Sequence, residues 1–415
     1  MLYFLAWALA LPFLFLYLLW RARHQPEYLR HWPERLGWGP LRSGKRRLLI
    51  HAVSVGETRA AAPLVKALQA RHPDLEILLT HTTPTGRTTG RELFGESVLQ
   101  SYLPYDFAPL VGLFLRRTRP ACCVIMETEI WPAFFLACKG LAIPSYLVNA
   151  RLSERSARGY GRIRPLAAAA LDALSGIAAQ SEQDGARLEG LGAKDIRITG
   201  NLKFDVTPPA DWEKRAEDLR RRFQGRFVFL AASTRDGEES ILLDALARLD
   251  MPDLLLVLVP RHPQRFDEVG RMIEARAWAW GRRSHHQESP DGMRVFLGDS
   301  MGELAAYYAA ADLAYVGGSL LPLGGQNLIE AAAAGCPALI GPHTWNFAEA
   351  AEQAVMEGCA LRVEDGEDLV AAIRKLHDDE PRRLAMAAAG RRFATANRGA
   401  TQRVVEMIEA GLGRR

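Results

Sequence analysis

Residues 47–57 read RLLIHAVSVGE. A short apolar run passes almost directly into a glycine and a carboxylate at an expected helix start, which is how a βα unit opens. The pattern recurs. LEILLT (75–80), ACCVIME (121–127), SYLVNA (145–150) and SGIAAQ (175–180) are further buried-strand candidates with helical patterns between them. The rhythm pauses at DVTPPADWEKRAEDLRRRFQG (205–225), a proline pair and a charged helix. It restarts with RFVFLAAS (226–233), DLLLVLVP (253–260), VFLGD (295–299), LAYVGGS (313–319) and PALIGP (337–342). Strands alternating with helices predict an α/β chain built of parallel βαβ units. The expected organisation is two doubly wound domains, 47–205 and 226–398, joined by a linker at 206–225. A last helix within 399–415 crosses back to the first domain, and 283–293 forms a surface loop. Ligands of such sheets bind at the carboxyl ends of the strands, here in a cleft between the halves.

At 415 residues the chain has room for two to three domains of about 150 residues. Hydrophobic residues at 48% and charged residues at 24% exclude wholesale disorder. Of the 52 basic residues only seven are lysine, so 45 are arginine, against 48 acids. The net charge is +4, and the arginine bias does not mark a nucleic-acid binder but suits handling of anions near an acidic lipid surface. Five cysteines without a CxxC pair argue against a disulfide framework or a zinc site.

The first twenty residues, MLYFLAWALALPFLFLYLLW, carry no charge. That length spans a hydrocarbon core of roughly 30 Å. Arg21 and Arg23 follow the run rather than precede it, so the segment predicts an uncleaved membrane anchor with the rest of the chain cytoplasmic. A cleaved signal and a hairpin lying in one leaflet are the alternatives. Residues 21–46 make a basic membrane-proximal segment.

The strand ends hold the chemistry. Gly56 is expected to allow a tight turn, and Glu57 stands at a helix N-terminus, where it either only favours the macrodipole or faces a ligand. Glu127 and Glu129, in METEIWP (126–132), are more carboxylates than capping requires; Arg151 is placed to neutralise one, leaving a structural ion pair and a catalytic pair both open. Lys203 closes the first half in GNLKFD (200–205), beside the linker. In the second half STRDGEE (233–239) offers hydroxyls and N–H groups to an anion, and PRHPQRF (260–266) brings Arg261, His262 and Arg265. Met301, Gly302 and Glu303 enter a helix at the same edge. In GGSLLPLGGQNLIEAAAAGCPALIGP (317–342) paired glycines frame an expected flexible loop, and Asn327 and Glu330 begin an alanine-rich helix suited to phosphate and ribose.

HAVSVGE, METEIWP, NARLSERS, GNLKFD, PRHPQRF, DSMGEL, the 317–337 stretch and GPHTWNF, in this order, closely resemble the Kdo (3-deoxy-D-manno-octulosonic acid) transferases. The resemblance runs from the apolar segment to about residue 400. It implies a GT-B glycosyltransferase of two Rossmann-like domains with an N-terminal membrane anchor helix. It implies transfer of Kdo from CMP-Kdo to the lipid A precursor lipid IVA, releasing CMP, at the cytoplasmic face of the inner membrane. The transfer is inverting, with neither cofactor nor metal, and nucleic acid is not a partner. On the resemblance Glu57 is the general base, Glu127 and Lys203 stabilise the transition state, and Pro260, Arg261, Met301, Gly302, Glu303, Asn327, Leu328, Ile329 and Glu330 hold CMP. Gln326 departs from the histidine many members carry. A UDP-sugar transferase or epimerase, and a membrane-tethered lipid-binding scaffold, are the competing functions.

Overall fold

The computed structural model describes residues 2–23, 25–41, 44–207, 211–223, 225–285 and 292–413. Parts of the expected linker 206–225 and loop 283–293 lie outside these residues. The chain forms two compact units. One comprises Met1–Val206 with Asn397–Arg415, the other Thr207–Ala396.

The first unit is built on β1 (Arg46–His51), β2 (Leu75–His81), β3 (Leu99–Tyr102), β4 (Cys122–Met126), β5 (Ser145–Ala150), β6 (Gly176–Ala179) and β7 (Ile196–Ile198). All pairs are parallel, in the order β3-β2-β1-β4-β5-β6-β7. The second unit repeats the plan with β8 (Phe227–Thr234), β9 (Leu254–Pro260), β10 (Trp280–Arg282), β11 (Val295–Leu297), β12 (Leu313–Val316), β13 (Ala338–Ile340) and β14 (Ala360–Arg362). Its order is β10-β11-β9-β8-β12-β13-β14, again parallel throughout. Each sheet reverses its winding once, between β1 and β4 and between β8 and β12. Those switch points are where a crevice opens beyond the strand ends.

Alternation along the strands divides the first core in two. Leu48 and Ile50 of β1, with Cys122, Val124 and Met126 of β4, pack on one face; Leu49, Cys123 and Ile125 pack on the other. Burial on both faces is why these strands read as continuous apolar runs. The first face is completed by the C-terminal helix Ala400–Leu412, whose Val404, Val405, Ile408 and Leu412 are buried. Gly411 there meets β5 so closely that a Cβ would overlap the Tyr146 hydroxyl. All five cysteines are buried, and none is in a disulfide.

The apolar start of the chain departs from the anchor expected over 1–20. Residues Leu2–Ala22 form a helix, but among the described residues no helix is long and apolar enough to cross a membrane. This one leans on the first unit instead. The Tyr3 hydroxyl donates to Asp106 at 2.6 Å, the Trp7 ring lies 6.1 Å from that of Tyr105, and Leu18 and Ala22 are buried. Asp106 also accepts from the backbone N–H groups of Ala133 and Phe134, so one carboxylate ties this helix to the start of the helix Pro132–Gly140. Leu9, Phe13, Leu16, Leu19 and Trp20 remain exposed.

Gly411→Ala should lower the melting temperature, since the helix must shift off β5 or Tyr146 must move, at a cost of about 1–3 kcal/mol. Thermal denaturation against wild type checks it; an unchanged midpoint would show that the contact relaxes freely.

Candidate active site

In the first unit the carboxyl ends of β1 and β4 lie at the switch point, and the acids gather there. Ser54 caps the helix Val55–Arg71, and Glu57 in its first turn reaches back: Glu57 Oε2 accepts from the Val53 N–H at 2.8 Å. Ser-x-x-Glu is thus a capping-box sequence whose acid bonds just ahead of the cap residue. Capping does not account for the environment of the acid. Burial, and then the charge of Glu127, push the Glu57 carboxyl up to about 8, against the opposing Val53 N–H bond. Gly56 is not where the chain turns. It lies inside the helix, and a Cβ there would meet only the Ser54 hydroxyl at 3.8 Å, leaving open space in front of it.

Glu127 follows β4 in a left-handed conformation, φ +57°, uncommon for a residue with a Cβ. Its carboxylate pairs with Lys203 Nζ at 3.1 Å and more loosely with Arg151 at 3.9 Å. Both cations sought in the sequence therefore converge on this one acid. Glu129 turns to Trp131, whose indole N–H donates to it at 2.8 Å; burial raises its carboxyl. The Trp131 ring stands edge-on to His51 at 5.5 Å. Burial, and then the nearness of His81, lower His51 to about 3, and burial takes His81 to about 4, so both stay neutral and bring no positive charge to the turn.

Lys203 is held by residues that sequence reading passed over. Asn149, left-handed at φ +53° at the end of β5, accepts from the Leu202 N–H at 3.0 Å. Asn201 accepts from the Lys203 N–H at 3.0 Å and donates to Gln180. An asparagine closing an apolar strand was the available signal, because Asn tolerates that conformation.

In the second unit Pro260 and Arg261 stand at the end of β9, Met301–Glu303 follow β11, and Asn327–Glu330 follow β12. Arg261, just past Pro260, donates from its backbone to Thr234 and from its guanidinium to Gln326 Oε1 at 3.2 Å. Gln326 therefore occupies its position as a partner of Arg261. Asn327 accepts from the Ile329 N–H and donates to Glu330 Oε1 at 3.0 Å, ahead of the short helix Ile329–Ala334; Leu328 is its cap residue. Met301 is exposed and Gly302 is left-handed at φ +79°. Glu303 is buried; burial alone would raise its carboxyl, but Arg283 and Ser300 bonds and the Arg283 and Arg215 charges hold it down at about 2. Its side chain is committed to that network.

Two expectations change. The 233–239 turn does not present an empty anion site, because Glu238 and Glu239 carboxylates fill it, the second bonded to Thr234 and paired with Arg265. The glycine loop is pinned rather than flexible: Gly325 N–H donates to Gly318, Gln326 N–H to Gly317, and Gly318 and Ser319 N–H groups to Glu238. Gly317 is required by proximity, since a Cβ would collide with the Ser233 carbonyl.

The second unit matches the family model for glycosyl transferases group 1 over residues 227–393, and with two doubly wound sheets this makes the chain a glycosyltransferase. The first unit matches the model for 3-deoxy-D-manno-octulosonic-acid transferase over 30–206. The chain belongs to the Kdo transferase family. It is 44% identical over 375 residues to the 3-deoxy-D-manno-octulosonic acid transferase of Bordetella pertussis, covering 88% of this chain and 87% of that one. It is 38% identical to the Haemophilus influenzae protein of the same name, covering 94% and 93%. UDP-GlcNAc 2-epimerase from Neisseria meningitidis shares the fold, with a TM-score of 0.60 over 88% of this chain and all of that one, at 16% identity.

A carboxyl titrating near 8 is about one-tenth ionised at pH 7. If Glu57 works as a base, turnover rises with pH and levels off above about 8, and the rise vanishes in Glu57→Gln along with most activity. A flat profile from pH 6 to 9 would remove it from that role. Stability runs the other way. A raised folded-state value means the fold holds the proton that the unfolded chain releases, so this group's penalty grows as pH climbs from about 4.5 to about 8. Glu57→Gln should therefore be more stable than wild type at pH 8 and closer to it at pH 5, as read by thermal denaturation.

Proposed function

We propose that the chain transfers Kdo from CMP-Kdo to lipid IVA, releasing CMP, in lipopolysaccharide core biosynthesis. The observation that carries this reading is a buried carboxyl held near neutrality at the switch point of the first sheet, in a member of the Kdo transferase family. The attacking sugar hydroxyl must lose a proton, and Glu57 takes it. Protonated in the resting enzyme at neutral pH, it must first ionise, which the ion pair of Glu127 with Lys203 favours by lessening the repulsion Glu127 exerts. Glu127 and Lys203 act together on the transition state. A single base and displacement at the anomeric carbon give inversion.

In the second unit Pro260, Arg261, Met301, Gly302, Glu303 and residues 327–330 hold the CMP part of the donor. Arg261 meets the phosphate, and cationic side chains take the place of a metal ion as CMP leaves. Glu330 offers its carboxylate to a ribose hydroxyl.

The protein acts at the cytoplasmic face of the inner membrane. Its N-terminal helix presents Leu9, Phe13, Leu16, Leu19 and Trp20 to lipid, with Arg21 and Arg23 close to anionic headgroups. Deleting residues 2–22 should release the protein from anionic vesicles in co-sedimentation.

Mass spectrometry of lipid IVA after incubation with CMP-Kdo tests the reaction: addition of Kdo with release of CMP is expected, and an unmodified acceptor would overturn it. Arg261→Ala should weaken CMP binding by about tenfold or more, the worth of a charge-assisted contact. Unchanged CMP affinity would move the nucleotide elsewhere.

A further inference from the structure

Glu238 opens the helix Glu238–Ala247 and has no exposed surface, yet its carboxylate is crowded with donors. Oε1 accepts from the Tyr315 hydroxyl, from Ser319 N–H at 3.0 Å and from Leu320 N–H at 3.3 Å. Oε2 accepts from Gly318 N–H at 2.6 Å and Arg235 N–H at 2.9 Å. A buried charge is tolerable only when its lone pairs are met, and here backbone dipoles meet them. Three of the five donors belong to the crossing that follows β12.

That crossing continues toward the proposed nucleotide residues. The Gly318 carbonyl accepts from Gly325 N–H at 2.6 Å and the Gly317 carbonyl from Gln326 N–H at 3.0 Å. Ser319 adds a second tie, accepting from Gly341 N–H at 2.9 Å. Gln326 then accepts from the Arg261 guanidinium. An unbroken run of bonds leads from a sealed carboxylate to the arginine side chain. Between the Glu238 carboxylate and Gln326 the run is made of backbone groups, so a displacement of the crossing is passed on to Gln326.

We infer that Glu238 is a positioning residue for the nucleotide donor: it fixes the 317–320 crossing and, through Gln326, sets the place of Arg261. This rests on the assignment of Arg261 to the CMP phosphate. Because it is sealed from solvent, Glu238 touches no substrate, and its effect is confined to how the donor is held.

Glu238→Gln in the full chain is the test. The amide keeps the size but has one acceptor oxygen and turns an N–H pair toward donors. The KM for CMP-Kdo should rise by about tenfold, with the KM for lipid IVA unchanged. Tyr315→Phe, which removes one donor from the same carboxylate, should raise the donor KM by a smaller factor and serves if the glutamine variant does not fold. Combined with Arg261→Ala, Glu238→Gln should add less than it does alone, because both act on one contact. A merely structural glutamate would lower the melting temperature and leave the donor KM of the folded enzyme in place. Donor KM within twofold of wild type in the folded variants, or full additivity with Arg261→Ala, would overturn the inference. If Arg261→Ala itself leaves CMP affinity unchanged, the nucleotide assignment fails first; if Arg261→Ala weakens CMP and Glu238→Gln does not, only the role of Glu238 falls.

Discussion

A carboxylate removed from water must be met by donors or give up its charge, and both halves of this protein are arranged around that constraint. Each sheet begins with a strand that runs into a helix, and each helix carries a glutamate in its first turn: Glu57 after β1 and Glu238 after β8. The two positions correspond in topology and differ in outcome. Glu238 collects five donors and keeps its place as an anchor for neighbouring backbone. Glu57 has one good backbone bond and faces the charges of Glu127 and Glu129, so it is left short of compensation. Incomplete compensation leaves a carboxyl able to exchange a proton near neutral pH.

The fold was legible because parallel strands buried on both faces must be apolar without interruption, and helices on both sides of a doubly wound sheet give the intervening pattern. The acid at residue 57 was legible for a related reason, as a carboxylate in an otherwise apolar strand–helix junction. Convergence of Arg151 and Lys203 on Glu127 was only half visible. Glu127 follows β4, Arg151 follows β5 and Lys203 follows β7, and the order β4-β5-β6-β7 that brings them together is not written in any local window. Asn149 escaped notice because its work is done by a backbone angle and one amide oxygen. Glu238 escaped because an acid next to a helix start reads as ordinary capping until the loop that crosses above it is in view.

The paired glycines show how a local reading goes astray. Glycine signals freedom when nothing else is known. Here it marks crowding and left-handed backbone together: a Cβ on Gly317 would meet the Ser233 carbonyl and one on Gly324 the Asn346 and Trp345 side chains, while Gly318, Gly324 and Gly325 all have positive φ. The apolar N-terminal run misleads in a similar way. Its length and lack of charge fit a span, whereas Tyr3 and Trp7 supply the polar and aromatic handles by which its helix lies along the first unit.

The C-terminal helix gives the molecule an order of assembly. Val404, Val405, Ile408 and Leu412 fill one face of the sheet that begins at Arg46, and the Arg46 side chain bonds the Leu412 carbonyl. The second unit, by contrast, is contiguous in sequence from Thr207 to Ala396. On a ribosome the second unit therefore has its whole core in hand before the first has closed its own, although the first was begun earlier. Until Ala400–Leu412 emerges, that face of the first sheet is covered only in part, by Leu64, Val65 and Leu68 of the helix Val55–Arg71.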